Sequence, residues 1–213
     1  MPTFSIEDFA RSCKAAMAAA PDRHRAASEH LERTLAEHSP EEMTAVLEAA
    51  IPAGADIGEM ILHQSPELTM LYGRLPARFE TGIHDHTVFA CIGQLSGRER
   101  NVFYRRDPEA GLRVSGEHVS EPGSVLDLGA EVIHHVENPD ARPSTALHIY
   151  GGDFKAVQGE RTLWTAVGFE EKAFSFPDLM RECAAMMKRD GNEAGLEAMV
   201  AAIPSMKGVV ESV

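Results

Sequence analysis

An all-β barrel with helices added at both ends is the fold class that this sequence predicts. Residues 1–55 and 175–213 place apolar side chains at helical spacing, as an N-terminal and a C-terminal helical segment. Residues 56–174 instead break into short runs rich in Val, Ile, Thr, Phe and Tyr, separated by Gly, Pro, Asp and Asn. Turn signals recur roughly every ten residues through that middle section, as they do in sandwiches and barrels. No strand–helix alternation is present, which counts against a Rossmann-type layout. A chain of 213 residues suits one such structural domain with its helical additions.

Taken in order, Ser5 is placed to cap a helix whose apolar positions Ile6, Phe9, Cys13, Ala16 and Met17 follow helical spacing, ending near Pro21. A more polar helix runs from Arg23 to about His38, with Leu31 and Leu35 on one face. Ser39, Pro40 and Glu42 then give N-cap, N1 and N3 of a capping box, and Pro52 ends that third helix. Strands are expected at Leu68–Tyr72, Val88–Leu95, Arg100–Tyr104, Leu112–Val119, Val125–Leu128 and Thr145–Tyr150. Phe176-Pro177-Asp178 opens a further helix through Met180, Cys183 and Met187, broken at Gly191, and a last helix ends near Ile203. The apolar faces of the terminal helices must pack on the barrel or pair two copies of the chain, and a homodimer is the expectation.

Composition removes several function classes. A net charge of −13 and a pI near 5.2 leave nothing to neutralise phosphates in bulk, so no nucleic-acid partner is expected. No apolar run of about 18 residues exists, so no membrane span is expected. The N-terminus lacks a basic stretch followed by an apolar one, so no signal peptide is expected. Three widely spaced cysteines, Cys13, Cys91 and Cys183, form neither a disulfide framework nor a zinc-finger pattern. A reducing, cytoplasmic setting follows.

The chemistry concentrates in three histidine-bearing stretches: Gly82-Ile83-His84-Asp85-His86, Ile133-His134-His135-Val136-Glu137-Asn138 and Leu147-His148-Ile149-Tyr150. Strand residues two apart share a face, so His84 and His86 can offer two imidazoles to one metal ion. A third ligand from a facing strand completes the set and leaves positions open for substrate. Neutral imidazoles suit Fe, Zn, Cu or Ni.

This pattern resembles the cupins, which implies a double-stranded β-helix, or jelly-roll barrel. The first cupin motif has a Gly, then HxH, a Glu, and a closing Gly; here Gly82 lies closer to HxH than usual and Gly97 closes. The second motif ends in His, three residues and Asn, which His134 and Asn138 fit. That spacing selects His134 over His135, leaving His135 as a supporting or surface residue. The position of the motif's Glu holds Ala90 or Cys91, so the set is three imidazoles without a carboxylate. A divalent ion there keeps its full charge and favours an anionic ligand such as a thiolate, enolate or carboxylate.

The segments HDHTVFACIGQLSGRERNVFYRR, IHHVENP and LHIYGGD, between His84 and Asp153, together resemble the cysteine dioxygenase-like thiol dioxygenases, bacterial members especially. The resemblance implies Fe(II) on His84, His86 and His134, with Zn, Ni or Mn as other ions such a site accepts. It also implies a small anionic thiol as substrate, oxidised by O2 to a sulfinate. That family's Ser-x-His-x-Tyr relay is matched by His148 and Tyr150 as catalytic residues, while Ala146 stands at the serine position and Thr145 faces the other way. A cysteine cross-linked to tyrosine occurs in some members. Period two turns Ala90 inward and Cys91 outward, so no cross-link is expected and Cys91 reads as a buried apolar residue. For a substrate carboxylate the arginine candidates are Arg74, Arg78, Arg142 and Arg161, with Arg161 nearest in sequence to where some bacterial members place theirs. Each otherwise reads as a solvated surface residue. Two other functions fit the same histidines: a three-His dioxygenase or isomerase acting on a diketone-like substrate, and a non-catalytic ligand-binding cupin. The His148/Tyr150 pair counts against the latter.

Overall fold

A computed structural model describes residues 3–52 and 60–213. The segment boundary expected between residues 55 and 56 lies outside the described residues. Three helices come first, α1 (Ile6–Ala19), α2 (Arg23–Glu37) and α3 (Pro40–Ala49). Eleven strands follow: β1 (Ile61–Gln64), β2 (Thr69–Leu75), β3 (Ile83–His84), β4 (Ala90–Ser96), β5 (Glu99–Asp107), β6 (Gly111–Ser120), β7 (Val125–Leu128), β8 (Ile133–Glu137), β9 (Ser144–Tyr150), β10 (Thr162–Trp164) and β11 (Glu171–Ala173). Helices α4 (Phe176–Arg189), α5 (Glu193–Ala202) and α6 (Lys207–Ser212) close the chain.

The strands form two antiparallel sheets, β1-β2-β9-β4-β7 and β11-β10-β3-β8-β5-β6. The pairing identifies the fold. Strands β2 to β5 alternate between the sheets on the way out, and β6 to β9 retrace them on the way back. The outgoing and returning strands pair antiparallel as β2·β9, β3·β8, β4·β7 and β5·β6. A long two-stranded ribbon wound into a barrel is a double-stranded β-helix, the jelly-roll barrel of the cupin type. The short strands β1, β10 and β11 extend its edges.

Side-chain alternation divides the first sheet cleanly. Leu71, Ala90, Ile92, Leu126, Leu128, Ala146 and Tyr150 face the barrel interior as one cluster. Met70, Tyr72, Cys91, Leu95, Leu147 and Ile149 face outward and are covered by α1–α3 through Phe9, Cys13, Met17, Leu31, Met43 and Leu47. Outside the second sheet, α4–α6 pack Leu179, Cys183, Met187, Leu196 and Met199 against Leu163 and Phe79. The helix faces that suggested a dimer therefore pack on the barrel of their own chain. Among the described residues, no helix is long and apolar enough to cross a membrane.

Ser5, Asp22, Ser39 and Ser175 cap α1–α4 with side-chain oxygens that accept backbone N–H bonds. The box at Ser39 is only half made. Ser39 accepts from the Glu42 N–H, but Glu42 turns away and accepts from the Phe4 N–H at 2.9 Å instead. The glutamate thereby ties Phe4, ahead of α1, to α3, a long-range use that outweighs the local motif. Gly97 stands at φ +63, the left-handed turn between β4 and β5 that its place in the sequence suggested.

Leu31 is fully buried, and a Cβ on Gly93 of β4 would lie 3.2 Å from it, so α2 rides directly on the sheet. Leu31→Ala is expected to cost about 2–5 kcal/mol, read as a lower denaturant midpoint at unchanged slope. A loss below about 1 kcal/mol would mean that α2 is not part of the cooperative core.

Candidate three-histidine metal centre

β3 and β8 are joined at the His84↔His134 pair, so two of the three imidazoles enter the barrel side by side. His86 arrives differently from the strand-period expectation. The strand stops at His84, and residues 85–89 cross from the second sheet to the first before β4 begins at Ala90. Thr87 takes φ +59 there, a strained conformation for a β-branched residue, and its hydroxyl donates to the His86 carbonyl at 2.7 Å. Asp85 fixes this crossover to β10: its N–H donates to the Thr162 carbonyl at 3.1 Å, and its Oδ1 accepts from the Thr162 N–H at 2.8 Å.

The result is a convergence of three Nε2 atoms. His84 Nε2 lies 3.2 Å from His86 Nε2, which lies 3.4 Å from His134 Nε2. His84 Nδ1 is 2.8 Å from the Gly82 carbonyl and His134 Nδ1 is 2.9 Å from Asn101 Oδ1. Both partners only accept, so each Nδ1 carries the proton and each Nε2 presents a lone pair. Burial, with neighbouring imidazoles and Arg161 adding to it, holds His86 and His134 well below the usual histidine range and pushes His84 down to about 3. All three are then neutral near pH 7, the state a metal ligand needs. His86 Nδ1 is buried without a hydrogen-bond partner among the described residues, so a cation held between the three Nε2 atoms is served once His86 carries its proton on Nδ1. Four-coordinate imidazole sites at about 2.0 Å bond length have edges of roughly 3.3 Å. These three buried histidines form a group able to hold a metal ion.

Around the cluster the barrel supplies a phenol and a guanidinium. Tyr150 lies with its ring centroid 5.4 Å from that of His86, and its Oη is 3.2 Å from His148 Nδ1. Burial pushes the phenol up to about 12 and His148 down to about 4, so both are neutral near pH 7. Gly73 makes room for the histidine, since a Cβ there would sit 2.7 Å from His148 Nε2. Arg161 is 4% exposed, against the expectation of a solvated residue. Its guanidinium lies 4.2 Å from the Phe154 ring and 3.6 Å from the Phe174 ring, and these rings flank His86 and His84 respectively. Arg161 Nε donates to the Asp85 carbonyl at 3.0 Å. Burial lowers its pKa to about 10, so it stays charged near pH 7.

Other candidates fall elsewhere. Arg74 does not join the histidines: it stands on the outer face of β2, ion-paired with Glu48 of α3 and stacked at 5.5 Å on Tyr72. Arg78 binds the Pro139 carbonyl. Arg142 lies on the exposed turn before β9. His135 is buried on the outer side of β8 between Tyr104 Oη at 2.9 Å and Glu137 at 3.0 Å, rather than on the surface. Asn138 holds a turn, with Nδ2 donating to the Pro76 and Arg142 carbonyls at 2.9 Å. Cys91 points outward, away from Tyr150. Sequence reasoning missed Asn101, Asp85, Phe154 and Phe174; only Asn101 carried a signal, as a polar residue two places before Phe103 on one face of an expected strand.

No family model matches the chain. Solved structures similar to it include a conserved protein with a double-stranded β-helix domain from Klebsiella pneumoniae, 9% identical over 50% of this chain and 82% of that one, at a TM-score of 0.41. An RmlC-like cupin family protein from Methanocaldococcus jannaschii is 10% identical over 46% and 81%, at 0.37. A cupin superfamily protein from Desulfitobacterium hafniense is 18% identical over 44% and 75%, at 0.36. Likeness of this size adds nothing to the fold, which stands on the strand pairing itself.

Proposed function

We propose that the protein is a non-haem Fe(II) thiol dioxygenase, with His84, His86 and His134 as iron ligands. The observation that carries this reading is the meeting of three neutral imidazoles with a buried, charged arginine and a protonated phenol in one barrel. The overall conversion is a thiolate plus O2 to a sulfinate, with both oxygen atoms ending on sulfur and no other reductant required. Iron, when bound, supplies the orbital through which thiolate and dioxygen exchange electrons.

The chain's own residues do the rest. Barrel walls of Leu71, Ile92, Leu126 and Leu128 exclude water and strengthen every charge interaction inside. Arg161 offers its two terminal nitrogens to a substrate carboxylate, since among the described residues neither has a protein acceptor. Tyr150 keeps its proton near pH 7. When its Oη accepts from His148 Nδ1–H, that proton is free to point at the negative charge developing on the reacting oxygen. His148 thus orients the donor. Ala146 leaves the relay without a third hydroxyl, and Thr145 instead bonds Ser96 at 2.8 Å on the outer face.

Elemental analysis of anaerobically purified protein, then an oxygen electrode with a panel of carboxylate-bearing thiols and diketones, tests the reading. Iron with thiol-dependent oxygen uptake supports it; uptake with diketones alone, or tight ligand binding without turnover, overturns it. Tyr150→Phe is expected to keep its metal and lower kcat by about 10²-fold, the usual effect of losing one preorganised donor. An unchanged kcat would remove Tyr150 from the chemistry.

A further inference from the structure

We propose that His24, Cys91 and Asp127 form a second metal site, for a zinc-class divalent ion, on the opposite face of β4 from the three histidines. Cys91 on β4 and Asp127 on β7 are directly opposed in register, so their side chains stand together on the outer face of the first sheet. The first turn of α2 lays His24 over them. The imidazole nitrogen, the thiol sulfur and a carboxylate oxygen all lie within 4.8 Å of one another. His24 Nε2 is buried, has no hydrogen-bond partner, and sits 3.7 Å from Asp127 Oδ1. Tetrahedral zinc with these three donor types has edges of about 3.3–3.6 Å, so a modest contraction closes the set. The solvent-facing Asp127 side chain is able to make that movement.

Two neighbouring groups prepare the ligands. Ser28, one helical turn beyond His24, donates to Asp127 Oδ2 at 2.8 Å, which turns Oδ1 toward the histidine. Phe89 stacks on the His24 ring at 4.6 Å and holds its plane. His24 and Asp127 line a cleft of about 320 Å³ together with Asp22, Arg25, Glu29 and Glu32, and Cys91 lies buried beneath them. Arg25 is paired with Glu29, so the remaining carboxylates give the cleft a cation-attracting field. A mixed nitrogen, sulfur and oxygen set selects zinc-like ions over the harder magnesium and calcium, and the fourth position faces the cleft, where water completes it. Burial holds the Cys91 thiol protonated well above the ordinary range, so uptake of the ion breaks the S–H bond, forms the metal–sulfur bond and releases the proton to solvent. The ion would staple α2 to β4 and the edge strand β7, whose inner faces belong to the barrel interior.

The test uses full-length protein, stripped with a chelator and titrated with Co(II). Only a thiolate ligand gives a sulfur-to-cobalt charge-transfer band in the near ultraviolet; an all-imidazole centre gives none. The band is expected in the wild type and in a His84→Ala/His86→Ala double variant, and is expected to vanish in Cys91→Ser. Asp127→Asn, a change at a half-exposed side chain that keeps the fold, is expected to weaken the band-forming affinity by at least about tenfold. In the double variant, added Zn(II) should raise the melting temperature, and Asp127→Asn should remove that rise. Absence of the band at saturating Co(II), or a band that survives Cys91→Ser and so comes from another cysteine, overturns the proposal.

Discussion

His84→Ala and His134→Ala, each purified without oxygen, are expected to hold less than about a tenth of the wild-type metal and to consume no oxygen with any thiol, a loss beyond the 10–100-fold typical of residues that only support ligands. Removing His134 leaves two ring nitrogens 3.2 Å apart and removing His84 leaves two 3.4 Å apart, too few ligands in a buried space to compensate the ion for its lost water. His135→Ala is the matched control. It lies one residue from His134, but its ring faces Tyr104 and Glu137 on the other side of β8, so its removal should leave metal content intact. The His134→Ala and His135→Ala results together distinguish ligation from a general loss of fold, because both substitutions empty a buried histidine site in β8. Full metal content in His84→Ala would refute the ligand assignment, and metal loss in His135→Ala would move it to the neighbouring ring.

That contrast between adjacent histidines also marks how far the sequence could be read. The inward set Ala146, His148 and Tyr150 was legible because strand alternation is a local rule, whereas His84 and His134 were legible through the spacing of the cupin motifs that the sequence resembles. Cys91 was correctly turned outward by the same period, although the chain breaks its strand at Asp85–Phe89 between the two segments. What brought His86 to its partners was not a strand at all but the turn at Thr87, which no periodicity signals. Arg161 and Arg74 show the limit most clearly. Both are arginines in or beside β-runs, and which of them is buried depends on distant partners. Glu48 of α3 claims Arg74, while Phe154 and Phe174, from either end of the β10–β11 excursion, enclose Arg161. Likewise Glu42 left its capping box for Phe4, and His24 met Cys91 and Asp127 only because α2 crosses β4 and β7. Contacts between elements far apart in sequence decide all of these, and a single sequence carries them only implicitly.

Arg161→Gln is expected to raise KM for carboxylate-bearing thiols by about 10²-fold or more, while thiols lacking the carboxylate are nearly unaffected; a buried charge pair is worth roughly 3–5 kcal/mol when one partner is removed. A guanidinium that is 4% exposed, without an ion-pair partner among the described residues, is an incomplete arrangement in the free protein. Its desolvation is offset by the two aromatic faces and one carbonyl, and an arriving carboxylate completes it. Arg161→Lys should recover little, because a lysine ammonium cannot donate two parallel bonds or lie flat between two rings. Metal content provides the control here too, since Arg161 Nε also holds the Asp85 carbonyl between His84 and His86. A variant that retains its metal yet loses only carboxylate-bearing substrates assigns Arg161 to substrate recognition. One that loses all thiols equally, with the metal gone, reduces it to a support for the crossover, and the substrate class inferred from its charge would fall with it.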